Sequence, residues 1–537
     1  MKVSTGRRRA IFALTAIVAL GVSPLASSRA TAQVTAFMQS VASSASDDAA
    51  LSGFYKANGY KPIWTGNSGR DRARRQALLK AIDASAEHGL PEQSYDTEYL
   101  RGNLRNIKSE RDLGRVEVEL SRLFLRYATD IQTGVLTPSK VDSGLVKVVP
   151  LRDRAQLLAN FSKSQPVGYL RALPPKSPEY ARLMKGKMEL ERTLGRGGWG
   201  QQVPAKSLKP GDAGNAVVIL RNRLMAMGYL KRSAANSYDA ALQSAVQQFQ
   251  LRHGLNPDGV AGQSTIAEIN VEPEKRLAAV LVAMERERWI NMPLGKRHIN
   301  VNLANFSAKI IDNDKVTFET RAVVGATDAD RRSPEFSDVM EHMVINPTWN
   351  VPRSIAVKEY LPLMQRNPGA AGHLRVVDAR GRTVPRSAIN FNAYNTSNFP
   401  FNLKQPPSDG NALGLVKFMF PNKYNIYLHD TPAKSLFGRE SRAFSHGCIR
   451  LQKPFEFAYA LLAKQTNDPQ GLFKAHLNSG RESVVALEQQ VPVHIDYRTA
   501  VGMPKGGMGY RRDVYGRDAK IFSALQKAGV VLRAVDS

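Results

Sequence analysis

A chain of 537 residues is longer than a single core commonly organises, so roughly two to four folded units are expected. With 43% hydrophobic and 23% charged residues, its composition excludes wholesale disorder and a multispan membrane protein. The net charge of +28 suits a polyanionic partner or a solvated basic surface. The Lys and Arg residues are scattered, however, with no zinc finger, RNA-recognition signature or continuous basic helix to favour nucleic acid.

At the N-terminus Lys2, Arg7, Arg8 and Arg9 precede the apolar run from Ala10 to Val22, which leads into Ala30-Thr31-Ala32. Residues 1–32 therefore read as a secretory signal peptide, too short in its apolar part for an ordinary membrane span, with an uncleaved inner-membrane anchor as the alternative. Residues 33–50, rich in Ala, Ser and Asp without an apolar period, read as a flexible leader. From Leu51 to 194, Phe54-Tyr55, Trp64 and the Arg/Ala/Leu-rich stretch after Asp71 predict a helical scaffold domain. The glycines from Gly195 to Gly200 mark a linker.

Residues 207–270 predict a small three-helix module. The first helix aligns Val217, Leu220, Leu224 and Met227, and Gly228 ends it. The second aligns Leu242, Val246 and Phe249, and the third runs near Ser264 to Ile269 after the turn Asn256-Pro257-Asp258-Gly259. Leu277, Val280, Leu281 and Met284 continue at helical spacing, with Arg286 and Arg288 expected to be solvated. The period then changes to two at Ile299, Val301 and Leu303, so residues 297–480 are expected to form a mostly β domain, followed by C-terminal strands and a tail over 481–537. The whole reads as a multidomain α+β protein. An irregular insertion over about 352–411, rich in Asn and aromatics, is either a cap on a peptide-binding cleft or a surface loop.

The chemistry concentrates further on. Tyr424 to His429 alternates, sending Ile426 and Leu428 to the core and His429 to the other face at the open end of a strand. Ser445-His446-Gly447-Cys448-Ile449-Arg450 follows, and Pro454 opens a helix carrying Phe457, Ala458, Leu461 and Leu462. Cys448 is the sole cysteine, so it has no internal disulfide partner. A thiolate attacks carbonyls, and a nearby histidine lowers the thiol pKa and carries the proton to the leaving amine. The N–H groups of Gly447 and Cys448 are candidates for holding an oxyanion. The competing reading of His429, His446 and Cys448 as zinc ligands lacks an evident fourth ligand. No metal or organic cofactor is required.

A histidine, about fifteen residues, then Ser/Thr-His-Gly-Cys, an apolar residue and Asn or Arg is the pattern of the L,D-transpeptidases of the bacterial cell wall, and the chain resembles that family at every position. The resemblance implies Cys448 as nucleophile, His429 as proton donor and acceptor, and His446 as a supporting residue. It further implies Ser445 and Arg450 as positioning residues and the backbone carbonyl of Asp430 as the group that orients the base. The module at 207–270 is similar to peptidoglycan-binding domains. His88-Gly89-Leu90-Pro91, Arg286-Glu287-Arg288-Trp289 and Tyr515-Gly516-Arg517-Asp518 resemble the large periplasmic branch, whose members combine a helical scaffold, a binding module and a YkuD-like β-sandwich with an inserted capping subdomain.

The implied function is formation of 3→3 cross-links from tetrapeptide stems with release of D-Ala. Peptidoglycan stem peptides and glycan are the implied partners, carbapenems the implied inhibitors, and the periplasm of a Gram-negative envelope the implied location. The motif leaves the acceptor open: a stem amine, water as in an L,D-carboxypeptidase, or an amine of an envelope protein. A noncatalytic wall-binding protein is the reading from another class.

Overall fold

The computed structural model describes residues 34–535; the signal-peptide reading of 1–32 lies outside them. The expected leader is not flexible where it is described. Thr35 caps a helix over Ala36–Ser44, and a second helix, Ala49–Ala57, is capped by Asp48. The first lies against the long helix Glu110–Thr133. A Cβ on Gly114 would sit 2.7 Å from the Cβ of Ser40, so only glycine permits this approach. Val41 and Ala45 enter the scaffold core as a result. Composition misled the sequence reading here, because small residues at helical spacing pack closely without a conspicuous apolar stripe.

The scaffold core gathers around Trp64, Phe124 and Phe161, with ring centroids of Phe124 and Phe161 4.6 Å apart. Glu117, fully buried on the long helix, accepts from the backbone N–H groups of Ile63 at 2.7 Å and Thr65 at 2.8 Å and from the Tyr55 hydroxyl at 3.0 Å. A buried carboxylate on this scale is tolerable because its acceptor capacity is filled.

The three-helix module has helices Asn215–Ala226, Ala240–His253 and Gln263–Ile269, and Val217, Leu220, Leu224, Leu242, Val246 and Phe249 form its core. Helix Pro273–Trp289 then crosses the junction between scaffold and β domain. Arg286 and Arg288 are buried here, contrary to the solvated positions expected. Arg286 pairs with Glu335 and Asp518, and Arg288 with Glu285 at 2.9 Å. Arg286 is paired with carboxylates brought from distant parts of the chain and Arg288 with one a turn away on the same helix, and both satisfy the condition under which a buried charge is stable. Sequence periodicity alone does not reveal such partners.

The β domain is built from β1 (Arg297–Asn302), β2 (Ser307–Asp312), β3 (Lys315–Gly325) and β4 (Ser337–Ile345). After the short strands β5 (Trp349–Asn350), β6 (Arg375–Val377) and β7 (Asn402–Gln405) come β8 (Val416–Met419), β9 (Leu428–His429), β10 (Ala443–Ser445), β11 (Ile449–Leu451) and β12 (Ser483–Asp496). The sheet order is β10-β3-β11-β9-β8-β4-β12-β1-β2, and β3 also pairs with β2, so the ladder closes on itself. Closure leaves few unpaired edges. β12 lies between β4 and β1, with Val493 and Ile495 fully buried, so the segment after residue 480 is integral to this domain. Beyond it, β13 (Ala500–Gly502) and β14 (Met508–Tyr510) form a hairpin.

The insertion is a folded unit with its own core, including Trp349, Ile355, Met364, Phe391 and Leu403, and its own sheet in the order β5-β7-β6. The buried side chain of Asn411 donates to the carbonyls of Pro347, Gln405 and Pro406, tying the segment's exit to its entry. No helix among the described residues is long and apolar enough to cross a membrane.

Candidate active site

β9 does not run the length that alternation predicts. The Asn422 side chain accepts from the N–H groups of Tyr424 and Ile426 and donates to the carbonyls of Phe420 and Ile426, taking backbone groups that a ladder would need. Asn425 adopts a left-handed conformation in this turn, with φ 53°. Only Leu428 and His429 remain as strand.

The short strand is nevertheless decisive, because it is interior: β8 flanks it on one side and β11 on the other. In the parallel pairing with β11, Leu428 faces Ile449 and His429 faces Arg450. Leu428, Ile449 and Leu451 are fully buried in the core. By the period of two, Tyr427, His429, Cys448 and Arg450 occupy the opposite face. On the other side Lys417 of β8 is the register partner of His429. All five line one cleft of about 800 Å³, whose far wall is the insertion, including Trp349, Ile355 and Glu359. His429 thus sits buried in mid-sheet and not at an open edge.

The Nδ1 of His429 donates to the carbonyl of Asp430 at 2.5 Å, which leaves Nε2 as the acceptor. The Asp430 carboxylate is itself engaged, accepting from the N–H of Leu415 at 3.0 Å and of Thr431 at 2.7 Å, and pairing with Lys434. Gly414 must be glycine for this arrangement, since a Cβ there would fall 2.3 Å from an Asp430 carboxylate oxygen. Burial, with the charge of Arg450 second, lowers the His429 pKa to about 3. The imidazole is neutral at physiological pH.

Cys448 is half-buried, and its Sγ lies 3.4 Å from the carbonyl of Asn425. The expected depression of the thiol is not found. Burial raises its pKa to about 11, against a smaller opposing effect from hydrogen bonding with Tyr427 and the charge of Arg450. Tyr427 is raised in turn, by burial first and then by the thiol. The resting pair is therefore thiol and neutral imidazole, in a dry setting that disfavours charge on either.

Gly447 has φ 111°, and a Cβ there would approach the Ile426 Cδ1 at 3.1 Å. Its carbonyl accepts from Ser333 Oγ at 2.6 Å, and its N–H donates to Ser445 Oγ at 3.2 Å. Ser445 Oγ also donates to the carbonyl of Cys448 at 2.5 Å. The Gly447 N–H is thereby committed, which corrects its expected place as an oxyanion donor; among the described residues the N–H of Cys448 has no acceptor. His446 turns toward the insertion, with Nε2 2.6 Å from Glu359 Oε1, an oxygen shared with Arg331 at 2.8 Å. Glu359 stands on a π-helical turn over Ala356–Tyr360, an uncommon conformation that is frequent at functional sites.

The half-buried Arg450 forms no ion pair among the described residues, and its Nε has no hydrogen-bond partner. Sequence reasoning missed Tyr427, Lys417, Glu359, Asn425 and Ser333. Lys417 was within reach, because it alternates with the apolar Val416 and Phe418; Glu359 was not, because it arrives from a separate subdomain. No group of three His, Cys, Asp or Glu with metal-holding geometry occurs among the described residues.

The chain is thus a multidomain α+β protein in which a closed β domain, carried behind a helical scaffold and a three-helix module, sets a histidine and a cysteine in one cleft. Residues 296–473 match the YkuD model of the L,D-transpeptidase catalytic domain, residues 213–269 match a peptidoglycan binding domain, and residues 49–186 match a scaffold domain. A Haemophilus influenzae protein named as a candidate L,D-transpeptidase is 29% identical over 242 residues, covering 45% of this chain and 48% of that protein. The chain thus spans about half the length of that relative. A shorter stretch is 33% identical over 81 residues to the carboxy-terminal processing protease CtpA of Bacillus subtilis, covering 15% of this chain and 17% of that protein. A solved L,D-transpeptidase from Xylanimonas cellulosilytica aligns with 55% of this chain and all of its own at 14% identity, with a TM-score of 0.16.

Proposed function

We propose that the protein is an L,D-transpeptidase that forms 3→3 cross-links in peptidoglycan through an acyl-enzyme on Cys448. The observation that carries this reading is the β9/β11 register, which sets Tyr427, His429, Cys448 and Arg450 on one face of one cleft. His429 Nε2 takes the thiol proton as Sγ attacks the carbonyl of the third residue of a tetrapeptide stem. The new oxyanion is held by the N–H of Cys448. The bond to D-Ala then breaks, and His429 returns the proton to the departing amine. In the second half, His429 takes a proton from the side-chain amine of another stem's diaminoacid, which attacks the thioester and frees the thiol.

Burial disfavours the charged form of both thiol and imidazole at rest, so a base must take the thiol proton for attack, the role proposed for His429. Lys417 and Arg450, flanking His429 in register, give the cleft floor two cations without carboxylate partners among the described residues, a surface suited to the carboxylates of a stem peptide. The same thiol is the expected target of carbapenems. Action on peptidoglycan implies export to the periplasm.

Analysis of peptidoglycan digested after incubation with the purified protein tests the reading. Cross-linked dimers joined 3→3, absent with Cys448→Ala, are expected. Tripeptides alone would mean that water is the acceptor, stems attached to an envelope protein would mean that a protein amine is, and unaltered peptidoglycan would leave a binding protein.

A further inference from the structure

A second cavity, of about 400 Å³, opens where the scaffold helix Pro178–Gly195, the three-helix module and the β13–β14 hairpin meet. No motif pointed to it, and no family match covers it as a unit, since its walls come from all three. Its walls are of two kinds. Trp199 and Tyr229 are half-buried and Tyr510 is buried, which gives the cavity aromatic faces. Around them stand Arg192, Arg196 and Arg252, none of which pairs with a carboxylate among the described residues; the guanidinium of Arg252 lies 5.5 Å from the Tyr229 ring centroid.

Arg276, at the cavity's base, shows what a cation serving cohesion does here. It pairs with Glu268 at 2.8 Å and lies 4.5 Å from the ring centroid of Tyr510. A joint that served cohesion alone would neutralise its other arginines in the same way and close over its rings. This one leaves Arg192 and Arg196 exposed beside the half-buried rings of Trp199 and Tyr229, whose inner contacts are the guanidinium of Arg223 at 6.0 Å from Trp199 and that of Arg252 on Tyr229, with Glu189 as the acidic residue in its lining.

We infer that this junction cavity is a binding site for a carboxylate-bearing segment of peptidoglycan, separate from the catalytic cleft. The apolar C–H face of a sugar or stem residue lies on the rings, and free carboxylates meet the arginines in charge-assisted hydrogen bonds. The identity of the polymer rests on the acyl-transfer reading above; the anionic, ring-stacking chemistry rests on the cavity. Because scaffold, module and hairpin each supply a wall, an occupied site would hold the wall polymer to the assembled protein and not to the module alone.

The test uses the full chain with Cys448→Ala, which cannot turn over, and a photoreactive disaccharide-tetrapeptide, with labelled positions mapped by peptide mass spectrometry. Labelling is expected both at the catalytic cleft and at the junction, around Arg192 to Trp199 and Tyr229 to Arg252. Reversing the exposed charges with Arg192→Glu and Arg196→Glu is expected to lower the junction label about tenfold and leave the cleft label unchanged. Independently of any variant, a probe with its carboxylates amidated is expected to label the junction about tenfold less. Absence of junction label, or junction label indifferent to both charge reversal and amidation, would overturn the inference. Junction label without cleft label would support it while counting against the acyl-transfer reading.

Discussion

His429 and Cys448 are each held away from the charged form by the same dry surroundings. The first consequence concerns reactivity. With the thiol raised to about 11, the rate of alkylation of Cys448 by iodoacetamide should climb about tenfold per pH unit from neutrality to near pH 10. A plateau reached near pH 7 would mean a preformed thiolate–imidazolium pair. The second consequence concerns stability. An unfolded imidazole titrates near about 6.5, whereas folded His429 titrates at about 3, so between these values the unfolded chain binds the extra proton. Stability contributed by the neutral ring is present above about pH 6.5 and is lost as pH falls toward 3. Thermal unfolding followed across that window should show this acid loss, to which the buried His88 and His253 also contribute, and His429→Gln should lessen it; an unchanged slope would remove His429 from the account. Glu359 joins His446 and Arg331 across the cleft mouth. Glu359→Gln keeps the shape and removes the charge, so KM for the stem peptide is expected to rise about threefold to tenfold with kcat nearly constant. A fall in kcat alone would place Glu359 in the chemistry.

At the level of elements, the turn before Cys448 concentrates the geometric demand. Gly447→Ala meets Ile426 at a left-handed φ, and should cost about 1 to 3 kcal/mol in denaturant unfolding and misplace the Cys448 N–H. This is also where the sequence was most and least legible. The alternation of Ile426 and Leu428 revealed which side faces the core, and with it the face on which His429 lies. The length of β9 was not legible, because the Asn422 side chain competes for the backbone and propensity alone does not register that competition. The three-helix module was read from its apolar stripes almost residue for residue, since short helices on a small core leave the period intact. Helix Ala36–Ser44 was missed because its docking depends on an absence of side chain at Gly114, more than seventy residues away. The Gly447 N–H looked free in sequence, and only the fold shows Ser445 occupying it.

At the level of the whole molecule, buried charge joins the parts. Arg286, Glu335, Asp518 and Arg517 meet at the seam between the junction helix and the β domain, with Arg517 3.2 Å from Glu335. Arg286→Ala would leave the carboxylates of Glu335 and Asp518 short of a partner and should cost about 3 to 5 kcal/mol, visible as a separate, earlier unfolding transition in calorimetry. Charge pairs drawn from residues 286, 335 and 518 cannot be anticipated from local pattern, which is why Arg286 read as solvated; Arg288 has a local partner in Glu285, but its burial against Tyr180 and the carbonyl of His88 comes from the distant scaffold. The insertion forms the wall of the cleft opposite His429 and Cys448, so of the two expectations for it the placement as a cap fits the fold.

The central claim is that Cys448 accepts an acyl group with His429 as its base, and intact-mass measurement of the full chain incubated with a tetrapeptide stem tests it most directly. The account predicts a mass gain equal to the tripeptide acyl group, release of D-Ala, mapping of the adduct to the peptide containing Cys448, and no adduct in folded His429→Ala. An unmodified protein, an adduct at another residue, or undiminished acylation of His429→Ala would contradict it.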